Sequence, residues 1–266
     1  MSLQTILDSL TSQPGQAETV ITIPSGWTQG RATFGGLVAA IMQAHLQRSL
    51  GEERPLRSAN IIFVGPAAPG EVTLRSELIR SGKSVLQAEC RMLQNGAVVG
   101  LMTACFGNSR ESRLHIPAAP APSFRAPDDC RTQPFIPGLT PEFLQHFDLR
   151  RDRGDLPFTG GTSAEIAGWV RLREPVADIN AAVVMALIDA WPPTVIGMFD
   201  TLAPISTLSW SMEFLAPAQA IAADGWWQYL ADTDCSRDGY VNAHSSLWSP
   251  TGELVAINRQ TVTIFY

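Results

Sequence analysis

Residues 34–50 read FGGLVAAIMQAHLQRSL, and residues 178–190 read DINAAVVMALIDA. Both stretches combine alanine with larger apolar residues at helical spacing. The first follows the pair Gly35-Gly36, and the second stops before Pro192 and Pro193, which cannot continue a helix. These two stretches therefore predict two buried helices of similar composition in the two halves of the chain.

The segments around the two helices share one order of elements. A strand-like run precedes each helix, at Thr19 to Ile23 and at Ala164 to Arg173. Four strand-like runs follow each helix, joined by turns such as Asn95-Gly96 and Thr251-Gly252. The repeated order predicts a tandem duplication. The runs after the helices are 58–64, 71–81, 84–93 and 97–106 in the first half, and 207–215, 225–235, 239–248 and 253–266 in the second.

An antiparallel sheet wrapped around one alanine-rich helix, occurring twice, is an α+β double hotdog. Prolines are concentrated between Pro117 and Pro157. We therefore predict an N-terminal hotdog repeat at 1–108, a proline-rich linker at 109–160 with one short helix near 141–147, and a C-terminal repeat at 161–266. The pentamer at 63–67 also resembles the one at 214–218.

Composition limits the classes of partner. The net charge is −6, with 25 acidic residues against 19 Lys and Arg, which gives no electrostatic surface for nucleic acid or an anionic membrane. Apolar runs are far shorter than the ~20 residues of a membrane span, and the first residues do not resemble a signal peptide. The four cysteines form no CxxC pair, so reduced thiols and a cytoplasmic location are expected.

Several short motifs resemble the acyl-CoA thioesterase II family, in the same order along the chain. They are Phe34-Gly35-Gly36, Arg57-Ser58, residues 63–70, residues 93–96, Met102-Thr103-Ala104, Trp169-Val170-Arg171, Thr207-Leu208, Ser211-Met212, Phe214, and Val255-Ala256 with Gln260. The resemblance covers both repeats and implies the double-hotdog fold. It also implies hydrolysis of a fatty acyl-CoA thioester to free acid and CoA, with no metal and no cofactor.

Asp189 is the most unusual residue of the second helix. Its spacing from Ala181 and Met185 places a carboxylate on a face that packs against the sheet, in the last helical turn, where the helix dipole disfavours negative charge. One interpretation is that the helix end turns Asp189 toward solvent. The resemblance implies instead an active-site aspartate at this position.

Gln260 and Thr207 are the other two candidates. Alternation along the last strand puts Gln260 on the apolar face, where its amide needs a partner, either backbone or substrate. By strand alternation Thr207 lies on the same side as the polar residues Ser209 and Ser211, which is typical of a solvent-facing strand residue. The resemblance implies catalytic roles for both, with Asp189, Thr207 and Gln260 holding and activating a water molecule. Ser209-Trp210 departs from the Asp-His pair common in the family, which bears on acyl-chain specificity.

Gly35 and Gly36 are candidates for substrate binding. Glycines at a helix start allow a ligand to approach backbone N–H groups that can stabilise an oxyanion, although tight packing between helix and sheet is an equal alternative. The CoA portion of a substrate is polyanionic, so basic side chains should line its entrance. The clustered arginines are Arg110 and Arg113, which follow the first repeat, and Arg150, Arg151 and Arg153, late in the linker.

Other functions remain open at this point. No GxSxG, HExxH or Walker motif is present, which disfavours a serine hydrolase, a zinc protease or a nucleotide hydrolase. A hotdog enoyl-CoA hydratase would carry histidine five residues after the aspartate, where this chain has Thr194. A noncatalytic acyl-CoA sensor is the second alternative. Exposed sheet edges predict a homodimer or larger homo-oligomer.

Overall fold

The computed structural model describes residues 1–215 and 221–266. Within these ranges the α-helices are α1 (Leu3–Asp8), α2 (Gly35–Ser49) and α3 (Ala181–Ile188), and short 3-10 helices lie at Pro127–Asp129, Glu142–His146 and Thr194–Met198. The strands are β1 (Glu18–Ile23), β2 (Thr28–Gln29), β3 (Ala32–Thr33), β4 (Leu56–Phe63), β5 (Gly70–Ser81), β6 (Val85–Gln94), β7 (Ala97–Gly107), β8 (Arg131–Gln133), β9 (Phe147–Arg153), β10 (Glu165–Leu172), β11 (Ile205–Phe214), β12 (Trp227–Arg237), β13 (Tyr240–Trp248) and β14 (Leu254–Ile264). The last three residues of the pentamer at 214–218 lie outside the described ranges.

The two predicted central helices are α2 and α3. Most residues of α2 are buried, and its chain leaves the helix through Gly51 in the left-handed region (φ +59°). The helix α3 is shorter than the predicted 178–190, because the Asn180 side chain accepts a hydrogen bond from the Val183 N–H (3.2 Å) and starts the helix there. It ends at Ile188, so Asp189 is its C-terminal cap.

Twelve strands form one antiparallel sheet in the order β1-β5-β6-β7-β4-β11-β14-β13-β12-β10-β9-β8. Counted inward from β1 in the first half and from β10 in the second, each half has the strand before the helix, then the second, third, fourth and first strands after it. The halves meet at β4 and β11, where Asn60 pairs with Ser211. This repeated order is the predicted double-hotdog architecture.

The segment 109–160 is more than a linker. The expected short helix is present as the 3-10 helix Glu142–His146, but β8 and β9 extend the twelve-stranded sheet beyond β10. In β9 the side chains of Phe147, Leu149 and Arg151 alternate inward and are buried. The buried arginine breaks the apolar alternation that identifies a strand, which explains why the sequence did not predict it. The repeat boundaries at 108 and 161 stay a prediction.

The two helices pack against each other beside the sheet, and buried side chains of both repeats form one continuous hydrophobic core. Among the described residues, no helix is long and apolar enough to cross a membrane. The shared core brings the end of α3 to the start of α2, which is where the candidate site lies.

Candidate active site

The carboxylate of Asp189 binds the start of the opposite helix. Its Oδ2 accepts a hydrogen bond from the Gly36 N–H at 2.7 Å. At the C-terminus of its own helix a negative charge is destabilising by about 0.3 to 1 kcal/mol, but the N-terminus of α2 favours negative charge by a similar amount. The contact therefore offsets the cost that position in α3 imposes.

Desolvation dominates the electrostatics of Asp189. Burial raises the pKa of Asp189 well above the ordinary 3.8, and the hydrogen bond from Gly36 opposes part of that rise. No Lys, Arg or His among residues 1–215 and 221–266 forms an ion pair with it. The residue as a whole is partly exposed to solvent. A carboxyl group of raised pKa is suited to act as a general base in its ionised form.

The glycine pair makes room for this carboxylate. A Cβ on Gly36 would lie 2.5 Å from the Phe34 ring and 3.0 Å from the Asp189 Cβ, and one on Gly35 would lie 3.1 Å from the Asp189 Oδ2. The closest neighbours of Gly36 are thus an aromatic ring and the candidate base, rather than the sheet. Both glycines therefore set the distance between Asp189 and the start of α2.

Gln260 is held through an aromatic pair. Its Oε1 accepts a hydrogen bond from the Trp210 Nε1 at 3.2 Å. The Phe63 ring meets Trp210 edge to face, with 5.1 Å between ring centroids, and lies 3.4 Å from where a Cβ on Gly35 would be. Gln260 is partly buried on the face that carries the buried Val262, as the alternation predicted. Its partner is an indole and not backbone, and in the described structure its Nε2 donates to no protein group.

A β-bulge places Thr207 on the same face as Gln260. The pairing of β11 with β14 shifts register between Thr207 and Ser209, and Leu208 has no partner on β14. Thr207 pairs with Val262, whose side chain is buried, whereas simple alternation from Trp210 would have turned Thr207 outward. The solvent-facing interpretation of Thr207 is therefore wrong, and its hydroxyl lies on the face that holds the amide.

The structure thus connects the predicted residues to different extents. Asp189, Gly35 and Gly36 are in direct contact, Gln260 is linked to them through Trp210 and Phe63, and Thr207 shares the face of Gln260. Among the described residues no hydrogen bond joins Asp189 to Thr207 or Gln260.

Three aromatic residues around the site were not predicted to belong to it. Phe63 and Trp210 form the bridge described above, and the buried Tyr229 lies close enough that, after burial, the charge of Asp189 further raises its pKa. The sequence feature that could have identified Trp210 is its position in β11, where strand alternation puts it on the same side as the apolar residues. In the described chain, no group of three or more His, Cys, Asp or Glu side chains could hold a metal ion.

Comparison with known proteins decides the family. A family model described as the acyl-CoA thioesterase N-terminal domain matches residues 23–107, and one described as the C-terminal domain matches residues 127–264. The chain belongs to the acyl-CoA thioesterase family. The two matches cover one repeat each, and the C-terminal match includes Asp189, Thr207 and Gln260. No curated protein matches this acyl-CoA thioesterase family member.

Solved structures share the fold of this thioesterase family member over nearly its whole length. A hotdog-fold protein of unknown function from Alicyclobacillus acidocaldarius is 23% identical with a TM-score of 0.87, covering 100% of this chain and 99% of that one. A putative thioesterase II from Thermobifida fusca YX is 21% identical with a TM-score of 0.79, covering 98% and 97%. The acyl-CoA thioesterase II TesB2 from Mycobacterium marinum is 20% identical with a TM-score of 0.77, covering 100% and 98%.

Proposed function

We propose that the protein hydrolyses fatty acyl-CoA thioesters to a free acid and CoA, with Asp189 as the base. The observation that carries this proposal is the Asp189 carboxylate, desolvated, without a cationic partner among the described residues, and fixed at 2.7 Å from the Gly36 N–H. Membership of the acyl-CoA thioesterase family supports the substrate class.

In the proposed reaction a water molecule attacks the thioester carbonyl carbon. Asp189 takes the proton of that water as the new C–O bond forms, and the carbonyl oxygen becomes an oxyanion. The C–S bond then breaks as the carbonyl reforms, and the leaving thiolate takes up the proton from Asp189. The products are the free acid and CoA, and no covalent enzyme intermediate is formed.

Thr207 and Gln260 orient the water in this proposal. The Thr207 hydroxyl can both donate and accept a hydrogen bond, and the Gln260 Nε2 can donate. Because Trp210 already holds the Gln260 oxygen at 3.2 Å, the amide is oriented before substrate binds.

The start of α2 supplies the oxyanion donor in this proposal. The Gly36 N–H is occupied by Asp189, so the donor is the neighbouring Gly35 N–H, for which the described chain provides no acceptor. The absence of a side chain at Gly35 lets the substrate approach this group closely.

Two alternatives predict different behaviour. A hydratase needs an acid or base such as histidine near the aspartate, but Thr194 is buried and hydrogen-bonded to the Thr233 hydroxyl. Three of the four histidines are hydrogen-bonded elsewhere, to Ser12, Gly26 and Asp234. A noncatalytic sensor would bind acyl-CoA without releasing thiol.

A panel of acyl-CoA substrates of different chain length, assayed for free thiol release, tests the proposal. We expect catalytic release with at least one chain length, and loss of that release in Asp189→Asn. Binding of acyl-CoA with no thiol release across the panel would favour the sensor. Water addition to an enoyl-CoA without release of thiol would favour the hydratase.

A further inference from the structure

A cavity of about 560 Å³ lies beside β8 and β9, outside the candidate active site. Its charged lining residues are Arg125, Arg131, Arg151, Arg153, Asp129, Asp152 and Asp155. A volume of this size is within the range of sites for small organic ligands.

The central feature of the cavity is a pair of arginines directly opposite each other. Arg131 on β8 and Arg151 on β9 are partners in the antiparallel register, so their side chains share one face. Like charges in directly opposed positions destabilise a sheet. Burial, reinforced by the charge of Arg131, lowers the pKa of Arg151 to about 10, although Asp155 opposes this change.

Arg151 is also short of hydrogen-bond acceptors. Only 3% of the residue is exposed, and one guanidinium nitrogen, Nη2, donates to the Gln133 Oε1 at 2.6 Å. The other two, Nε and Nη1, have no acceptor in the part of the chain that the structure describes. A buried charged donor without a partner costs free energy, so this arrangement is suited to an added anion.

The carboxylates around the cavity do not supply that anion. Asp152 is bound by Arg125 at 2.6 Å and lies 3.7 Å from Arg153. The Asp155 Oδ2 accepts the Ser163 N–H at 2.8 Å. Among the described residues, neither Arg131 nor Arg151 forms an ion pair with a carboxylate.

We propose that the cavity beside β8 and β9 binds a phosphate group of a small phosphorylated molecule, between the guanidinium groups of Arg131 and Arg151. A phosphate oxygen would accept from the buried donors of Arg151, and the negative charge would relieve the repulsion between the two arginines. The cavity exceeds the size of a phosphate ion, which leaves room for the organic part of the ligand.

The phosphate could belong to the CoA portion of the substrate or to a separate phosphorylated ligand, and the first case rests on the proposed function. Trp191 supports a connection with the active site, because its ring lies 5.3 Å from the Arg151 guanidinium carbon and it follows Asp189 by two residues. The binding test below does not depend on turnover.

Calorimetric titration at constant ionic strength tests the proposal, with inorganic phosphate, CoA and CoA lacking its 3′-phosphate as probes. The variants are Arg131→Gln and Arg151→Gln, with Arg237→Gln, an exposed arginine of β12, as the matched control. We expect phosphate to bind the unmodified protein, about tenfold or greater weakening in the two cavity variants, and no change in the control. Arg131 is exposed, so its variant decides the matter if Arg151→Gln does not fold.

The probes separate the two sources. Competition between CoA and phosphate, with weaker binding of CoA that lacks its 3′-phosphate, assigns the cavity to the substrate. Phosphate binding without competition by CoA assigns it to a separate ligand. Absence of phosphate binding, or binding that both cavity substitutions leave unchanged, overturns the proposal. A protein that binds phosphate here but releases no thiol would disprove only the proposed function.

Discussion

Asp189 ends one helix and binds the start of another. The sequence predicted a carboxylate near the end of α3 and its unfavourable position in the dipole of that helix. It did not predict the Gly36 N–H as the partner, because the two residues are 153 positions apart and belong to different repeats. Contacts of this kind depend on how the helices pack, which local patterns do not encode.

We predict that Asp189→Asn lowers kcat at least a hundredfold with little loss of stability. The substitution removes the base but keeps a carbonyl oxygen that can accept the Gly36 N–H, and it removes a desolvated charge. Thiol release and thermal unfolding measure the two effects. Asp178→Asn, the same change at an exposed position, is the control. Normal turnover in a folded Asp189→Asn protein would remove Asp189 from the mechanism.

The raised pKa of Asp189 predicts how stability depends on pH. Because the folded state holds this proton more tightly than the unfolded state, the contribution of Asp189 is fully present below about pH 3.8 and is lost as pH rises through the raised pKa. The stability of Asp189→Asn relative to the unmodified protein should therefore increase across that window and level off above it. Urea unfolding at a series of pH values measures this difference. Parallel curves for the two proteins would contradict it.

At the scale of single elements, the bulge in β11 decides which side chains reach the site. Strand alternation correctly placed Gln260 and Trp210 on the inner face, but it placed Thr207 on the outer face. The sequence pattern does not reveal an unpaired residue such as Leu208. Such a residue reverses which face the residues before it lie on, while the residues after it keep the expected alternation. The proposed role of Thr207 rests on the family resemblance, and the bulge places the residue on the same face as Gln260.

We predict that Thr207→Val lowers kcat about tenfold or more while the protein stays folded, since valine keeps the shape and loses the hydroxyl. Thr207→Ser should restore most of the activity. Thr261→Val, on the outer face of β14, is the control and should leave kcat unchanged. Steady-state kinetics on all three variants checks the prediction. Equal activity in the valine and serine variants would mean that the hydroxyl has no role.

The start of α2 gives a second prediction at this scale. Gly36→Ala would place a methyl group 2.5 Å from the Phe34 ring and 3.0 Å from the Asp189 Cβ, so the ring or the carboxylate must move. We expect a loss of about 1 to 3 kcal/mol in unfolding free energy, with reduced kcat. In Gly65→Ala the nearest atom lies at 4.0 Å, and little change is expected. Chemical denaturation compares them, and equal stability of both variants would contradict the packing argument.

At the scale of the whole molecule, the repeated element order was readable from sequence and the joining of the repeats was not. Ten strands and both central helices follow hydrophobic periodicity and turn residues closely. The pairing of β4 with β11, and the addition of β8 and β9 to the edge of the sheet beside β10, depend on contacts between distant segments. Homo-oligomer formation and cytoplasmic location stay predictions, as do the roles of Asp189, Thr207, Gln260, Gly35 and Gly36.

We predict one active-site ligand per chain. The helix α2 carries no Asp or Glu, and its C-terminal cap is Leu50 where α3 has Asp189, so the first repeat cannot provide the same base. Calorimetric titration with a nonhydrolysable thioether analogue of acyl-CoA should give a stoichiometry of about one. Substitution of Asp189, Thr207 and Gln260 together should weaken this binding. A stoichiometry of two equivalent sites per chain would show that the predicted location of the site is wrong.

The contact between Asp189 and Gly36 also bears on the ancestry of the chain. In a pair of identical single repeats, each helix end would have offered a carboxylate to the start of the other helix, and two sites would have formed by symmetry. In this chain one half holds the acid and the other the amide that donates to it, so neither half alone can form the contact. The asymmetry makes the two repeats depend on each other and favours their retention in one polypeptide.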